Sequence, residues 1–475
     1  MGRTGGNAMT TRRALLTGTA LLVGGSAAGA VGYRLWRDRE PDGPPSTDGA
    51  GRLVWRNWSG IQSSYPQSRA APANEDELAS LLKTAQGPIR PVGAGHSFQP
   101  LVPTSGTLLT LDRMSGVLDH DPEALTAQVR AGTRLGELGP ALAKIGQEMR
   151  NLPDINKQSI GGALGTGTHG TGLGFKAIHG EVQSFRIATL GGDILDCSAD
   201  HHPEIFHAAR VNLGAFGVIT EVTLRNSPLT TVHKRVELRD FADVCDDWPT
   251  LKKNHRNVEF YAIPFTGKAA VITVDETSLP VKPRGADEDS STLMTLKTLR
   301  DVFGYAPDVR RFVARKLMDT LPAEDMVDEG WKLLSNERPV RFNEMEFHLP
   351  VDAQIPALKE VVATIEANRP DVFFPIEVRH IEADDAWLSP FYQRTSGSVA
   401  VHAYYKDEYQ FLFTLIEPIF RRHGGRPHWG KLNSLAAADF RALYPRFDDA
   451  MAVRAALDPG GKFLNPYLKK ALIGG

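Results

Sequence analysis

The chain has 475 residues, of which 41% are hydrophobic and 23% charged, and its formal net charge is −2. This length predicts two or three domains, and the near-zero charge argues against the basic surface of a nucleic-acid-binding protein. Cys197 and Cys245 are the two cysteines, which excludes a disulfide framework and a thiolate metal cluster but leaves one disulfide between them open.

Residues 1–36 have the pattern of an export signal. Arg12 and Arg13 precede a charge-free run over residues 14–33 that is rich in Leu, Ala and Gly. Adjacent arginines before an apolar segment are typical of a twin-arginine signal, whose machinery carries folded proteins. Residues 28–30 offer a small-residue cleavage site, but the run is also about long enough to stay as a membrane anchor. We therefore expect an extracytoplasmic protein, either secreted or anchored at the membrane.

A linker rich in Pro, Gly and charge is predicted over residues 37–51, and the folded body starts after it. Asn74 is a predicted N-cap for a helix over EDELASLLKTAQ, whose apolar residues recur at helical spacing. The sequence IRPV then predicts a short strand that enters a glycine-rich loop at residues 91–97.

The body divides into two α+β units, predicted over residues 52–227 and 228–475. In the first unit we predict strands at LLTL, LTAQVRAG and VITEVTLR, a helix at LGELGPALAKIG, and a hairpin at FRIATLGGDILDCS. In the second unit we predict strands at VEFYAIPF, AAVITVDE, FNEMEFHLP, FFPIEVRHI and SVAVHAYY, with helices at IPALKEVVATIEAN and EYQFLFTLIEPIFRRHG. A charged loop and two further helices interrupt the second unit near residues 280–340.

A second glycine-rich stretch, SIGGALGTGTHGTGLG at residues 159–174, has seven glycines among its last fourteen residues. Residues 165–170 match the dinucleotide fingerprint G-x-G-x-x-G, but no buried strand precedes them, and Thr168 stands where a phosphate-binding loop needs lysine. Successive glycines still let backbone N–H groups converge on a pyrophosphate or an isoalloxazine edge. The alternative is a surface loop without function, although two such loops in one unit favour a large phosphate-bearing ligand.

Six blocks in order carry a resemblance that covers nearly everything from Trp55 to Leu468. The chain is similar to the FAD-dependent oxidases of the vanillyl-alcohol oxidase type and, within them, to the sugar-1,4-lactone oxidoreductases. The resemblance implies an α+β fold with a two-lobed FAD-binding domain and an α+β substrate domain that caps the flavin. The blocks are PVGAGHSF (91–98), SIGGALGTGTHGTG (159–172), GAFGVITEV (214–222), FPIEVR (374–379), GRPHWGK (425–431) and FLNPYL (463–468).

The resemblance implies that the first two blocks bind the FAD pyrophosphate and flavin and that the third contacts the adenosine half. His96 occupies the position where oxidases of this family attach the flavin covalently, although a lone histidine is equally often a hydrogen-bonded loop residue. The cofactor-binding residues implied are Gly93, Ala94, Gly95, His96, Ser97, Pro153, Ser159, Gly162, Thr166, Gly167, Thr168, His169, Gly170, Gly217 and Ile219.

Glu377 and Arg379 are two residues apart on a predicted strand, so both side chains point to one face. Hydride transfer from an alcohol needs a group for the hydroxyl proton and positive charge for the alkoxide and the reduced flavin. The resemblance places this pair over the flavin and Lys431 near its N1–C2 edge, with His402 as a weaker candidate for substrate contact or base. The alternative for the pair is a cross-strand salt bridge. No metal site is expected.

Pro153 and Asp154 lie where related chains pass the flavin C4a edge. There alanine marks dehydrogenases and Gly or Pro is typical of oxidases, so Pro153 favours O₂ over another electron acceptor. Polyol-oxidising relatives carry serine where this chain has Asp154, which favours a lactone substrate over a polyol.

We therefore expect an FAD-dependent oxidase of an L-gulono- or D-arabinono-1,4-lactone type of substrate. An alditol oxidase is the first alternative. A carbohydrate-binding envelope protein that keeps the flavin fold without turnover is the second, and it would not need Glu377, Arg379 and Lys431 together.

Overall fold

The structure is a computed structural model that describes Gly32 and residues 39–285, 291–303, 306–318, 323–336 and 340–474. The predicted twin-arginine signal and its possible anchor, apart from Gly32, lie outside the described residues. In the part of the chain that is described, none of the helices is both long and apolar enough to cross a membrane. Cys197 and Cys245 are both buried and free, so the disulfide left open above is not formed.

The N-terminal unit contains three sheets. A two-stranded antiparallel sheet pairs β1 (Trp55–Arg56) with β2 (Ser63–Ser64), and a parallel sheet has the order β3-β5-β4. The larger antiparallel sheet has the order β10-β9-β11-β7-β6, with β8 paired to β11. Their strands are β3 (Ser68–Ala70), β4 (Ile89–Val92), β5 (Thr107–Thr110), β6 (Val117–Asp121), β7 (Thr126–Arg130), β8 (Gln147–Met149), β9 (Val182–Ala188), β10 (Ile194–Ser198) and β11 (Val218–Pro228).

The second unit is built on an eight-stranded antiparallel sheet of order β15-β12-β14-β13-β17-β18-β16-β19. The predicted strands of this unit are all present. The strands are β12 (Thr231–Asp240), β13 (Asn257–Ile263), β14 (Lys268–Glu276), β15 (Glu324–Glu329), β16 (Phe342–Pro350), β17 (Ile376–Ile381), β18 (Ser396–Tyr404) and β19 (Arg426–Pro427).

Helices cover the sheets. The predicted N-cap is confirmed, because the Asn74 side chain accepts a hydrogen bond of 2.9 Å from the Glu77 N–H. The α-helices are α1 (Glu75–Thr84), α2 (Leu135–Ala143), α3 (Ile160–Thr166), α4 (Pro203–Ala209), α5 (Phe241–Asn254), α6 (Ser291–Phe303), α7 (Pro307–Met318), α8 (Gly330–Leu333), α9 (Gln354–Asn368), α10 (Glu417–Arg422), α11 (Ala437–Leu443), α12 (Phe447–Leu457) and α13 (Pro466–Leu468). Short 3₁₀ and π segments lie at Ile178–Glu181, Leu412–Ile416 and Lys469–Ile473.

The second glycine-rich stretch differs from the loop expected from its composition. It opens with helix α3, which Ser159 caps and which Gly167 ends in the left-handed region at a φ of 76°. Ile160, Ala163 and Leu164 are buried at helical spacing. Burial of this apolar face outweighs the low helix propensity of its glycines.

One face of the eight-stranded sheet carries charge although it is buried. In the register, Glu377 pairs with Tyr261 on β13 and with Ala400 on β18, and Ala400 pairs in turn with Glu346 on β16. Paired residues of neighbouring strands project from the same face. Buried charge is costly unless it is paired, and clusters of buried charged groups are common at functional sites. This face is therefore a candidate functional surface.

The C-terminal FLNPYL block returns to the N-terminal unit. Phe463 packs in a core cluster with Leu78 and Ile89, and its carbonyl accepts a hydrogen bond from the buried Arg90 guanidinium. The Asn465 amide donates to the carbonyls of Pro100, Leu101 and Pro103 at 2.8 to 3.2 Å. The end of the chain therefore holds the loop that follows His96.

Candidate active site

A long cleft lies in the N-terminal unit and reaches the second unit, and its empty space of about 1310 Å³ includes a part that is open to solvent. Backbone of both glycine-rich segments and of the GAFGVI block forms its walls, and at one end it meets Phe342, Glu344, His428 and Lys431. Arg90 holds two of these walls together, since its guanidinium donates to the carbonyls of Leu213 at 2.6 Å and Gly214 at 2.7 Å.

The glycines in the cleft are required by close approach. A Cβ on Gly93 would lie 2.2 Å from Ser159 Oγ, so a side chain there would collide with the start of α3. Gly95 and Gly217 have φ values of 68° and 143°, which other residues rarely adopt. A narrow cleft walled by bare backbone fits an extended dinucleotide with a pyrophosphate at its middle. The residues present therefore fit FAD.

His96 lines the cleft and stacks on Trp58, with ring centroids 5.1 Å apart. Burial lowers the pKa of His96 to about 4, and the positive charge of Lys431 adds to this effect. The imidazole is therefore neutral at neutral pH and keeps a lone pair on nitrogen. This is the protonation state that a nucleophile needs.

Lys431 lines the same end of the cleft and forms an ion pair with Glu344. Its loop is fixed to the first glycine-rich segment, since Phe98 N–H donates to the Gly430 carbonyl at 2.7 Å. Glu344 Oε1 also lies 3.9 Å from His402 Nε2, while His402 Nδ1 donates to the Pro375 carbonyl at 3.1 Å. Lys431 therefore stands at the boundary between the cleft and the charged face of the sheet.

Glu377 and Arg379 share one face of β17, as their spacing predicts, and Arg379 Nε lies 3.4 Å from Glu377 Oε1. The Tyr261 hydroxyl donates to the same oxygen at 2.8 Å. Burial opposes the charge of Arg379, but the carboxylates of Glu377 and Glu346 raise its pKa above the ordinary value. The guanidinium is therefore a fixed positive charge at every working pH.

Glu346 is completely buried beside Arg379. Its Oε1 accepts hydrogen bonds from Arg379 Nη2 at 2.8 Å, from His169 Nε2 at 3.0 Å and from the Ser398 hydroxyl. Burial alone would raise the pKa of Glu346, yet the charge of Arg379 and the hydrogen bond from His169 hold it well below its ordinary value. Burial and Arg379 lower the pKa of His169, so the contact is a hydrogen bond from a neutral ring rather than an ion pair.

Two sets of buried side chains come close enough to hold a metal ion, namely His169 with Glu346 and His428, and Glu344 with Glu377 and His402. Arg379 and Lys431 already form ion pairs with the carboxylates of these sets. Among the described residues, Arg379 and Lys431 therefore already balance the negative charge of these carboxylates, and no metal ion is needed to do so.

The structure brings most of the predicted residues to the cleft and leaves others behind it; their roles stay predictions. Those that line the cleft are Gly93, Ala94, Gly95, His96, Ser97, Ser159, Gly162, Thr166, Gly217, Ile219 and Lys431. Those outside its lining are Pro153, Gly167, Thr168, His169, Gly170, Glu377, Arg379 and His402. Gly167 ends α3, and the chain after it turns into the interior, where His169 meets the charged sheet face instead.

Sequence reasoning missed Glu344 and Glu346, which lie between Lys431 and Arg379. A signal was available in FNEMEFHLP, where Glu344, Glu346 and His348 alternate with Met345, Phe347 and Leu349. Period-two charge on a strand usually indicates a solvent-facing side. Here both sides are buried, and only the tertiary structure reveals this. Trp58, Arg90 and Phe342 were also missed.

A second, smaller cavity is lined by Arg379 together with Asp154, Lys234 and Glu259. Glu259 lies two residues before Tyr261 on β13 and faces the same way. Burial, with the negative charge of Glu377, raises the pKa of Glu259 to about 7. The group is therefore half-protonated near neutral pH.

We expect Glu259→Gln to change the pH dependence of stability. The folded protein binds this proton more tightly than the unfolded chain, so Glu259 costs stability as pH rises from 4.5 through about 7. Thermal unfolding of the holoprotein should show equal midpoints for wild type and variant near pH 4, and a variant more stable by about 1–2 kcal/mol at pH 8. Glu237→Gln, on the exposed side of β12, is the control. An equal gain at both pH values would contradict the assignment.

Known proteins resemble both units. A family model described as D-arabinono-1,4-lactone oxidase matches residues 222–471, and one described as FAD binding domain matches residues 66–198. An L-gulono-1,4-lactone dehydrogenase of Mycobacterium tuberculosis is 34% identical over 88% of this chain and 99% of its own length. An L-gulonolactone oxidase of Scyliorhinus torazame is 30% identical over 88% of this chain and 97% of its own length.

Among solved structures, cholesterol oxidase from B. sterolicum superposes with a TM-score of 0.72 at 16% identity, covering 91% of this chain and 100% of that one. This likeness concerns the fold alone and confirms the predicted α+β architecture, while the family model over residues 66–198 confirms the FAD-binding domain. The matching family model and the extent of the sequence alignments lead to one conclusion: the chain belongs to the D-arabinono-1,4-lactone oxidase family.

Proposed function

We propose that this protein uses FAD to oxidise the alcohol next to the carbonyl of a sugar-1,4-lactone, of the L-gulono or D-arabinono type. One observation carries the proposal: the cleft walled by glycine backbone ends at the charged face of the eight-stranded sheet. The relatives named for lactones support the substrate class. A polyol-oxidising activity finds no support among these names.

Glu377, Arg379 and Lys431 have different roles in the proposed oxidation of the alcohol. FAD, when bound, would supply the hydride acceptor at N5, and the two electrons, together with two protons, would then reduce O₂ to hydrogen peroxide. Glu377 takes the hydroxyl proton, while Arg379 and Lys431 stabilise the developing alkoxide. Because Glu377 and Arg379 are buried and Lys431 is half-buried, their charges act in a medium that screens them poorly. Pro153 supports O₂ as acceptor, by likeness to oxidases.

We expect Arg379→Lys to lower turnover by about 100-fold or more, because lysine keeps the charge but loses the planar fork. Oxygen consumption with a panel of sugar-1,4-lactones and alditols measures the effect. Arg454→Lys is the matched control, since Arg454 is buried and donates to the Asp458 carbonyl away from the cleft. Turnover by Arg379→Lys close to that of the control would reject the role of Arg379. Wild type that reduces its flavin with alditols but with no lactone would reject the substrate class.

We further propose that His96 holds FAD by a covalent bond to the flavin 8α carbon. The neutral ring in the cleft supports this chemistry. His96→Ala should release yellow colour to the supernatant after acid precipitation, whereas wild type should keep it in the pellet. His120→Ala, at an exposed strand position, is the control. Free flavin in the wild-type supernatant would exclude the bond while leaving FAD as cofactor.

Export by the twin-arginine route is also proposed, from Arg12, Arg13 and the apolar run that follows. A covalently held cofactor suits a route that carries folded proteins. Replacing both arginines by lysine should keep holoprotein inside cells, as measured by fractionation and flavin fluorescence in gels. Unchanged distribution of the lysine variant would contradict this route. Whether the segment is then cleaved or retained as an anchor is read from the N-terminus and membrane fraction of the wild type.

A further inference from the structure

Glu346 occupies a central place that neither the predicted catalytic set nor the cleft lining includes. Its carboxylate is completely buried and belongs to β16, in the middle of the second unit. Its partners come from three parts of the fold: Arg379 on β17, Ser398 on β18 and His169 after α3 of the N-terminal unit. Lys431 Nζ lies 4.0 Å from its other oxygen, Oε2. Glu346 thus connects two positive charges of the proposed site with the second glycine-rich stretch.

The strand register explains how the carboxylate reaches so far. β18 lies between β16 and β17, with Ala400 opposite Glu346 on one side and Glu377 on the other. The alanine side chain is small, so the Glu346 carboxylate extends across β18 towards Ser398 and Arg379. The resulting diagonal contact joins Glu346 Oε1 to Arg379 Nη2 at 2.8 Å.

The contacts of Arg379 show what Glu346 does to it. Nη2 donates to Glu346, Nη1 donates to the His169 carbonyl at 3.3 Å, and Nε lies 3.4 Å from Glu377. Glu377 thus approaches the guanidinium at Nε, while Glu346 accepts a hydrogen bond from the terminal nitrogen Nη2. Two anchors on opposite sides fix the guanidinium plane, which a single ion pair would leave free to turn.

A buried carboxylate is costly to desolvate, and an apolar residue of similar size would often be at least as stabilising at such a position. Glu344 differs, because it lines the cleft and contacts Lys431 directly. Glu346 and Arg379 both lie outside the cleft lining, but Arg379 keeps a small exposed fraction of 6% and Glu346 keeps none. Glu346 therefore acts through Arg379 and His169. The negative charge of Glu346 is thus better explained by a role in orienting Arg379 and His169 than by a contribution to stability or by contact with substrate.

We propose that Glu346 is a positioning residue that fixes the Arg379 guanidinium and, with Glu344, balances Lys431, so that both cations face the reacting alcohol. This inference rests on the proposed function. His169, in the second glycine-rich stretch, donates to the Glu346 carboxylate and so aligns the cofactor side of the site with the eight-stranded sheet. Positioning therefore depends on correct docking of the two units.

The test compares the wild-type holoprotein with Glu346→Gln, which keeps size and an acceptor oxygen but removes the charge. Anaerobic flavin reduction by saturating lactone should slow by about 100-fold per bound flavin, with a much smaller change in the half-saturating lactone concentration. FAD content should stay near that of wild type. A merely structural role would lower FAD content or thermal stability and leave the rate per bound flavin unchanged.

A second readout needs no lactone. Sulfite is an anion that bleaches oxidised flavin, and its affinity rises with positive charge near the ring. Loss of the Glu346 charge beside Lys431 and Arg379 should tighten sulfite binding by about tenfold. If no lactone reduces wild-type flavin, the proposed function fails, while this shift still tests Glu346. If lactones reduce the wild type but both readouts of Glu346→Gln lie within threefold of it, the inference is overturned and the proposed function stands.

Glu417→Gln is the matched control, because Glu417 is also buried, accepts a hydrogen bond from Ser434 and lies outside the cleft lining. It should leave both readouts unchanged. If Glu346→Gln does not fold, Ser398→Ala replaces it, since this removes one donor to Glu346 and keeps the carboxylate. Flavin reduction should then slow by about threefold to tenfold. A Ser398→Ala rate equal to wild type would count against the proposal.

Discussion

Charge buried between two units is kept only where each carboxylate meets a cation or a hydrogen-bond donor, and this requirement shapes the site. Glu344 meets Lys431, and Glu346 meets Arg379 and His169. These partners come from separate strands, a loop and the N-terminal unit. The pairing is complete only when the units are docked. The same contacts that satisfy buried charge therefore also bring the proposed catalytic groups to the end of the cofactor cleft.

The cofactor side depends on an equally long-range arrangement. Arg90 lies at the start of the first glycine-rich segment, and its guanidinium donates to carbonyls of the GAFGVI block and of Phe463. Asn465 holds the loop after His96 by three carbonyls. A cleft walled by bare backbone has few side chains to keep its shape. Buried polar side chains behind its walls, contributed by β4 and by the C-terminal FLNPYL block, supply that rigidity.

Much of the fold could be predicted because its elements have strong local signals. Asn74 before an amphipathic run predicts α1, and alternating or wholly apolar runs predict the strands of the cap sheet. Helix α3 could not be predicted, since its glycines disfavour a helix until tertiary packing buries Ile160 and Leu164. Glu346 was overlooked for a related reason: a charged residue on a strand is ordinarily solvent-exposed, and burial is a property of the assembled sheets.

By itself the sequence determined the family, the cofactor class and the types of side chain available for catalysis. It did so because six blocks with unusual glycine, histidine and charged residues occur in one order. It also placed Glu377 and Arg379 on one face, since strand periodicity requires this. Only the tertiary structure decided which of these residues line the cleft, that His169 turns from it toward the cap, and that Glu346 links Arg379 to His169. Such contacts join residues more than 30 and up to 177 positions apart, and no local pattern encodes them.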